Sequence, residues 1–375
     1  MSKTKKAGFV PLIRVAKRES YPFSKSLVIR LTAVAIALLI DALIITSITD
    51  VSVPGVFAVM YNETFGNLSR FSWALRDIVL LLGIGIALAP AFKMKFWNIG
   101  AEGQVLAGAL AASVIMYYAN ESMGNWTVII LMCAASIVAG ALWGFIPAFF
   151  KAKWGTNETL FTLMMNYVAI QLVSCMTELW RGKASAIGKI NPSTKLGWMP
   201  SLKGGLLPEL LNQRYTINIL IIIILVVFMY FYLKRSKHGY EISVVGESEN
   251  TARYAGINVK KVIIRTMIIS GAICGLFGFL TVSGKDQTIS TETAGGNGFT
   301  AIIVAWVAKF NTFTMAAIAF LLILLRRGAE GIASQYGLNS YLTDIVSGIV
   351  LFFILGCEFF INYKLIFRST KKEVR

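Results

Sequence analysis

Long apolar runs separated by short polar stretches make up most of the 375-residue chain. Many of these runs approach the roughly 20 residues that an α-helix needs to cross a bilayer. They predict about ten membrane spans, at residues 27–48, 72–92, 96–118, 126–150, 156–177, 215–233, 262–282, 299–308, 312–325 and 341–361. The eighth run is too short to cross about 30 Å of hydrocarbon alone. The pattern therefore predicts an all-α polytopic membrane protein.

Composition agrees with this fold class. Hydrophobic residues make up 56% of the chain and charged residues 15%, and the mean hydropathy is +0.67. A soluble protein of this length rarely combines so little charge with several runs of bilayer length. The net charge of +17 lies mostly in loops and tails, so it indicates membrane orientation rather than nucleic-acid binding. We expect no cleavable signal peptide, because the first apolar run follows a long basic tail.

The order of spans and the basic residues between them predict how the chain is organised. Lys and Arg are concentrated in cytoplasmic segments by the positive-inside rule, which puts both termini in the cytoplasm. The predicted segments are a cytoplasmic tail (1–26), a first half (27–178) with an outer loop at 49–72, an extracellular loop (179–214), a second half (215–363) and a second cytoplasmic tail (364–375). Five spans in each half, an odd number, predict two inverted repeats.

Polar residues interrupt the apolar pattern where the third span begins. Asn98, Glu102 and Gln104 stand there beside two glycines, and the third span of the second half opens on a similar break around Asn297. Hydrocarbon leaves such polar groups without water, so they are costly unless they have a role. Paired breaks at matching places are typical of a midplane substrate site. We therefore predict a substrate pathway here; the alternative is a tight helix–helix turn whose polar side chains cap the helix ends.

The fifth span adds three candidate pathway residues. Asn157 can cap the helix, and Glu158 in the first turn suits the positive end of the helix dipole. Asn166 lies deeper in the same span.

The large inner loop contains a second candidate functional element. Residues 243–258 predict a short helix that ends at Gly256 as a C-cap. An exposed helix on the cytoplasmic side is suited to dock into a groove of a partner protein. The alternative is a solvated surface helix that only returns the chain to the membrane.

Several chemistries are excluded or disfavoured. The chain has no Walker sequence Gly-x-x-x-x-Gly-Lys-Ser/Thr, so it cannot bind ATP through a P-loop. The lone histidine, His238, lies in a basic loop, and each of the four cysteines stands singly in an apolar run, so we expect neither an enzyme, nor a disulfide, nor a metal or other cofactor. Energy must come from a partner or from an ion gradient. In the second case Asp41, Glu102 and Glu158 are candidate ion sites of a secondary transporter.

These motifs together resemble a known family. Residues 98–104, Asn-Ile-Gly-Ala-Glu-Gly-Gln, closely resemble the signature of permease subunits of ABC importers for nucleosides. Residues 157–167 are similar to that family's fifth-span pattern, and residues 245–258 to its cytoplasmic coupling segment. Residues 298–302 resemble the start of its eighth span, although the family usually has an acidic residue where Thr300 stands. The resemblance covers about residues 75–360, and the wider superfamily also carries ribose and branched-chain amino acids.

The resemblance implies a fold and a set of partners. The fold is that of type II ABC importer permeases, and the expected location is a bacterial plasma membrane. The expected partners are a cytoplasmic ABC ATPase, a second and shorter permease, an extracytoplasmic substrate-binding lipoprotein and membrane lipid. The residues expected to couple to the ATPase are Gly246, Glu247, Arg253, Tyr254, Ala255 and Gly256. The resemblance assigns no role to Asp41 or to the pair Arg326 and Arg327.

Overall fold

The structure is a computed structural model that describes residues 13–18, 22–49, 51–201, 215–339 and 341–367. Its helices are α1 (Phe23–Thr49), α2 (Val53–Phe65), α3 (Leu68–Lys93), α4 (Ala101–Tyr118), α5 (Asn125–Trp154), α6 (Glu158–Arg181), α7 (Thr216–Arg235), α8 (Lys237–Glu247), α9 (Glu249–Tyr254), α10 (Val259–Leu280), α11 (Asn297–Val307), α12 (Thr312–Gln335) and α13 (Tyr341–Asn362). A π-helical turn, Thr281–Asp286, continues α10, and strand β1 (Ile13–Lys17) pairs with β2 (Tyr363–Phe367).

The predicted class of polytopic helical membrane protein is confirmed. Within the described residues, eight helices are long and apolar enough to cross a membrane, namely α1, α3, α5, α6, α7, α10 with its π-helical turn, α12 and α13. The other two predicted spans correspond to α4 and α11. Helix α4 opens with the polar residues Glu102 and Gln104, and α11 has only 11 residues. The predicted number of ten spans is therefore not confirmed.

The predicted outer loop at residues 49–72 is wrong, because the chain forms α2 and the first turn of α3 there. Pro54 stands in the first turn of α2, where its missing N–H costs the helix nothing. Asn67 starts α3 by accepting a hydrogen bond from the backbone N–H of Arg70 at 2.7 Å. These two local signals begin helices earlier than the apolar run alone indicates.

The chain divides into two compact units. One consists of residues 62–327, and its interior is formed by α3, α4, α5 and α10. Helices α5 and α10 approach closely because glycines face each other: a Cβ on Gly140 would overlap the backbone of Gly271 and Gly275. Close approach through small residues is a common way for membrane helices to associate. Ser136 adds a hydrogen bond of 2.8 Å to the carbonyl oxygen of Gly108, which ties α5 to α4.

The other unit comprises the described residues up to 61 and from 328 onward. Helix α1 packs against α13, and Arg30 donates to the carboxylate of Glu358 at 2.7 Å between them. Strands β1 and β2 pair antiparallel, with Ile13 opposite Phe367 and Lys17 opposite Tyr363. The predicted basic tails therefore contain strands, and α1 begins within the first of them. Because the strands pair, residues 13–17 and 363–367 lie next to each other.

Candidate functional site

The polar break before α4 is held together by its own side chains. Helix α3 ends at Lys93, and the chain turns through Lys95, whose φ of 59° is left-handed, before α4 begins at Ala101. Asn98 and Gln104 exchange two hydrogen bonds of 3.2 Å between their side-chain amides. Asn98 also accepts from the N–H of Gly100 at 3.1 Å and donates to Ser270 on α10 at 3.4 Å. The polar atoms of the break are therefore satisfied within the protein.

Helix α6 supplies partners for backbone groups at the start of α4. Asn166 accepts from the N–H of Gly103 at 2.8 Å and donates to the carbonyl oxygen of Ile99 at 2.9 Å. Thr162, one turn earlier, accepts from the N–H of Ile99 at 3.1 Å. The first N–H groups of a helix lack partners within the helix, so side chains from α6 complete the α4 terminus. This explains why a polar Asn166 stands in a membrane span.

The break in the second half meets the break in the first through one carboxylate. The two oxygens of Glu102 accept separately from the N–H groups of Gly296 and Gly298, each at 2.8 Å. Glu102 is buried and lies at the N-terminal end of α11, where a negative charge is favoured by the helix dipole. Asn297, between the two glycines, accepts a hydrogen bond from Arg326 at 3.1 Å. We call Asn98, Glu102, Gln104, Gly296 and Gly298 the junction.

Two of the predicted pathway residues have partners outside the junction. Asn157 caps α6 by accepting from the N–H of Leu160 at 3.2 Å. Glu158 forms an ion pair with Lys151 at the end of α5, at 2.7 Å. These are the capping and dipole roles expected from their positions, and a pathway role for either residue stays a prediction.

The predicted coupling segment, residues 243–258, differs from a single helix. Helix α8 ends at Glu247, and Ser248 then caps a separate helix, α9, by accepting from the N–H of Thr251 at 3.2 Å. The chain leaves α9 at Gly256, whose φ of +74° is left-handed, as the predicted C-cap requires. The correction arises because the serine side chain satisfies an amide that a continuous helix would use.

One face of the coupling segment packs against the ends of membrane helices. Val245 and Ala252, with Ile242 just before the segment, belong to a buried cluster that also contains residues of α3, α5 and α10, and Phe96 of the break. Gly246 lies so close to α3 that a Cβ would overlap the carbonyl oxygen of Lys93. The segment therefore contacts the chain immediately before the junction.

The opposite face of the coupling segment is open to solvent. Exposed there are Glu247, Arg253, Tyr254, Ala255 and Gly256. Tyr254 is 95% exposed, so nearly the whole aromatic side chain is available for contact. Arg253 forms an exposed ion pair with Glu249 at 3.3 Å, and exposed pairs of this kind contribute little stability.

The structure reveals two polar or aromatic clusters that the sequence reasoning missed. Asp77 on α3 accepts from Arg76 at 2.8 Å and from Arg327 on α12, so the doubled arginines have structural partners. Near the junction, the rings of Trp97 and Trp306 lie 6.0 Å apart and are 42% and 51% exposed. The adjacent charges of Arg76 and Asp77 inside an apolar run were the available signal for the first cluster.

Among the described residues, no group of three or more His, Cys, Asp or Glu side chains is placed to hold a metal ion. The junction offers one carboxylate, and its oxygens are already hydrogen-bonded to backbone N–H groups. What this arrangement does is hold the two breaks against each other through these hydrogen bonds.

Comparison with known proteins identifies similar chains. A family model described as the permease component of branched-chain amino acid transport systems matches residues 70–355. The guanosine ABC transporter permease protein NupP of Bacillus subtilis is 30% identical, over 88% of this chain and 92% of that protein. The glucose ABC transporter permease protein TsgB13 of Haloferax volcanii is 29% identical over 82% of each. A second guanosine permease protein of the same Bacillus strain, NupQ, is 27% identical over 68% of this chain and 75% of that protein.

Proposed function

The chain belongs to the family of branched-chain amino acid transport system permease components, and on that premise we propose that it forms the pathway of an ATP-driven importer for nucleosides. It is an ABC transporter permease, a multi-pass membrane subunit whose ATP hydrolysis lies on separate subunits. This membership removes the reason to consider an ion-coupled secondary transporter.

Nucleosides are the proposed substrate class for two reasons. Two of the similar permeases carry guanosine in their names. The exposed faces of Trp97 and Trp306 beside the junction also suit a planar base, because stacking on an aromatic ring contributes roughly 1–3 kcal/mol per base. The glucose permease TsgB13 supports a sugar as the second candidate.

The proposed assembly contains more than this chain. Membership of the family implies an ATPase and a substrate-binding protein as partners. The occurrence of NupP and NupQ in one organism, both named as guanosine permeases, supports a second and shorter permease beside this one. We further propose that the binding protein is a lipoprotein, that the membrane is a bacterial plasma membrane, and that both termini are cytoplasmic.

The observation that carries the mechanism is the pair of hydrogen bonds that the Glu102 carboxylate accepts from backbone N–H groups of the second-half break. The exposed face of the coupling segment would receive the ATPase, and its buried face contacts Lys93 just before the junction. Movement of the ATPase would therefore reach Asn98 and Glu102 through a short, packed stretch of chain. Opening and closing of the junction would then control the path of the substrate.

A purification and an uptake measurement test this proposal. Tagged chain extracted in mild detergent should bring with it an ABC ATPase, a second permease and a binding protein, identified by mass spectrometry. Cells that make the complex should accumulate labelled guanosine, and unlabelled guanosine should compete while glucose should not. If no ATPase is purified with the chain, the proposal of an ATP-driven importer is wrong. If glucose competes and unlabelled guanosine does not, the substrate is a sugar rather than a nucleoside.

A further inference from the structure

An apolar groove runs along the membrane-spanning helices α1 and α13. Its volume is about 440 Å³, within the range of roughly 300–1,000 Å³ that is usual for ligand pockets. The walls include Val28, Ile29 and Ile36 on α1 with Phe352 and Phe360 on α13. Phe352 and Phe360 are exposed, so part of the groove wall is open to the surroundings of the helix pair.

Gly356 of α13 also lines the groove. A Cβ added at this glycine would meet no atom within 4 Å. The space beside it is therefore not required for the packing of α1 against α13. A helical surface that leaves such a gap between two phenylalanines can receive a flexible hydrocarbon chain.

The end of the groove nearest the chain termini is basic. Lys25 is exposed and precedes Ile29 by four residues, which puts it on the same face of α1, one turn beyond the groove. Arg18 donates to the carbonyl oxygen of Tyr363, directly after α13 ends. The nearby acid Glu358 is already paired with Arg30. The groove thus has apolar walls along its length and positively charged residues at one end.

We propose that this groove binds one anionic phospholipid, with an acyl chain between α1 and α13 and the phosphate against Lys25 and Arg18. The apolar walls of the groove suit the acyl chain of such a lipid, and its positive end suits the headgroup. Basic residues beside a membrane helix attract anionic headgroups. The site is separate from the junction, so it does not depend on the proposed substrate. It would fix the paired ends of the chain to the leaflet they face.

The first test fills the groove. In Gly356→Leu the new side chain occupies the open space, whereas Gly348→Leu on the same helix is the matched control, since its Cβ also meets no atom within 4 Å and it does not line the groove. Delipidated full-length protein is titrated with phosphatidylglycerol, and bound lipid is counted by native mass spectrometry. We expect one tightly bound lipid in the unaltered chain and in Gly348→Leu, and an affinity about tenfold lower in Gly356→Leu. Equal affinity in both variants would overturn the proposal.

The second test concerns the headgroup and needs no substitution in the groove. The unaltered chain should bind phosphatidylglycerol about fivefold more tightly than phosphatidylcholine with the same acyl chains, because each nearby basic residue favours an anionic lipid to about this degree. Lys25→Gln should reduce that preference, while Lys237→Gln on α8 should leave it unchanged. Equal binding of both lipids by the unaltered chain would refute an anionic ligand. If Gly356→Leu instead loses a co-purified permease and keeps its phospholipid, a partner helix fills the groove and the proposal is wrong.

Discussion

Glu102 joins the two halves of the permease with a single side chain. Each of its oxygens accepts a separate backbone N–H from the second-half break. Hydrogen bonds to a charged acceptor are worth about 1.5–3 kcal/mol each, more than bonds between neutral groups. In Glu102→Gln an NH₂ group replaces one carboxylate oxygen. This group is a donor and faces a backbone N–H of the second-half break, which is also a donor, so at least one hydrogen bond is lost. We expect uptake to fall about tenfold or more, measured as initial rate per amount of folded protein.

Glu121→Gln is the matched control, because Glu121 is an exposed acid in the loop after α4. It should transport at the normal rate. If Glu102→Gln also transports within about twofold of the unaltered protein, Glu102 is only a static helix cap and the junction does not control transport.

Gly246 is the second residue whose role follows from close contact. Because a Cβ would overlap the carbonyl oxygen of Lys93, Gly246→Ala must push the coupling segment away from α3. Overpacking of this kind typically costs about 1–3 kcal/mol. We expect a lower melting temperature and weaker stimulation of ATP hydrolysis by substrate. Gly124→Ala, where the nearest atom lies 3.8 Å from the new Cβ, should change neither quantity, and equal behaviour of the two variants would contradict the close contact.

For single residues, the sequence singled out unusual polar positions but did not indicate what they contact. Asn98, Glu102 and Gln104 stand out because polar groups are costly inside apolar runs. Their partners lie far along the chain: Glu102 bonds glycines nearly 200 residues later, with sequence separations of 194 and 196. The spacing of apolar residues predicts helices but not which distant residues are in contact. The sequence alone therefore did not show whether the two breaks meet. The contact between Asp77 and Arg327 was missed for the same reason.

Among the elements, the coupling segment has two faces that differ clearly: one is buried and the other is exposed. Its apolar face packs on the membrane helices, while Arg253 and Tyr254 project from the other face. We expect Arg253→Ala combined with Tyr254→Ala to leave the melting temperature unchanged, since neither side chain is buried. Stimulation of ATP hydrolysis by substrate should be lost, because exposed aromatic and arginine residues often contribute most to binding. The measurement compares ATPase activity with and without substrate.

Tyr341→Ala provides the control for that experiment, since Tyr341 is 69% exposed and belongs to another part of the chain. It should retain stimulated hydrolysis. Normal stimulation in the double variant would mean that residues 243–258 only connect α7 to α10.

The apolar pattern predicted most long helices. It did not predict the helix boundaries that polar side chains set, nor the two strands. Runs of bilayer length correspond to α1, α3, α5, α6, α7, α10 and α13. The break between α8 and α9 depends on the side chain of Ser248, and the earlier start of α3 depends on Asn67. Strands β1 and β2 depend on a pairing between opposite ends of the chain. Polar caps and distant pairings leave no trace in hydropathy.

For the whole molecule, we predict that both ends of the chain lie on the same side of the membrane. The antiparallel pairing of residues 13–17 with residues 363–367 supports this prediction. We expect a fluorescent protein that folds only in the cytoplasm to be bright when fused to either end, in agreement with the basic tails. A fusion inserted after Gly188, in the predicted extracellular loop, should stay dark. A bright signal at one end and darkness at the other would contradict the strand pair.

We expect this chain to carry substrate only when a partner hydrolyses ATP. The direct measurement is uptake of labelled guanosine into vesicles that contain the purified complex and its binding protein, with ATP supplied on the side of the coupling segment. Uptake should follow the ATP concentration, stop with a non-hydrolysable analogue, and continue when a protonophore removes the proton gradient. Uptake that persists without ATP and stops with the protonophore would show that transport is driven by a proton gradient and not by ATP.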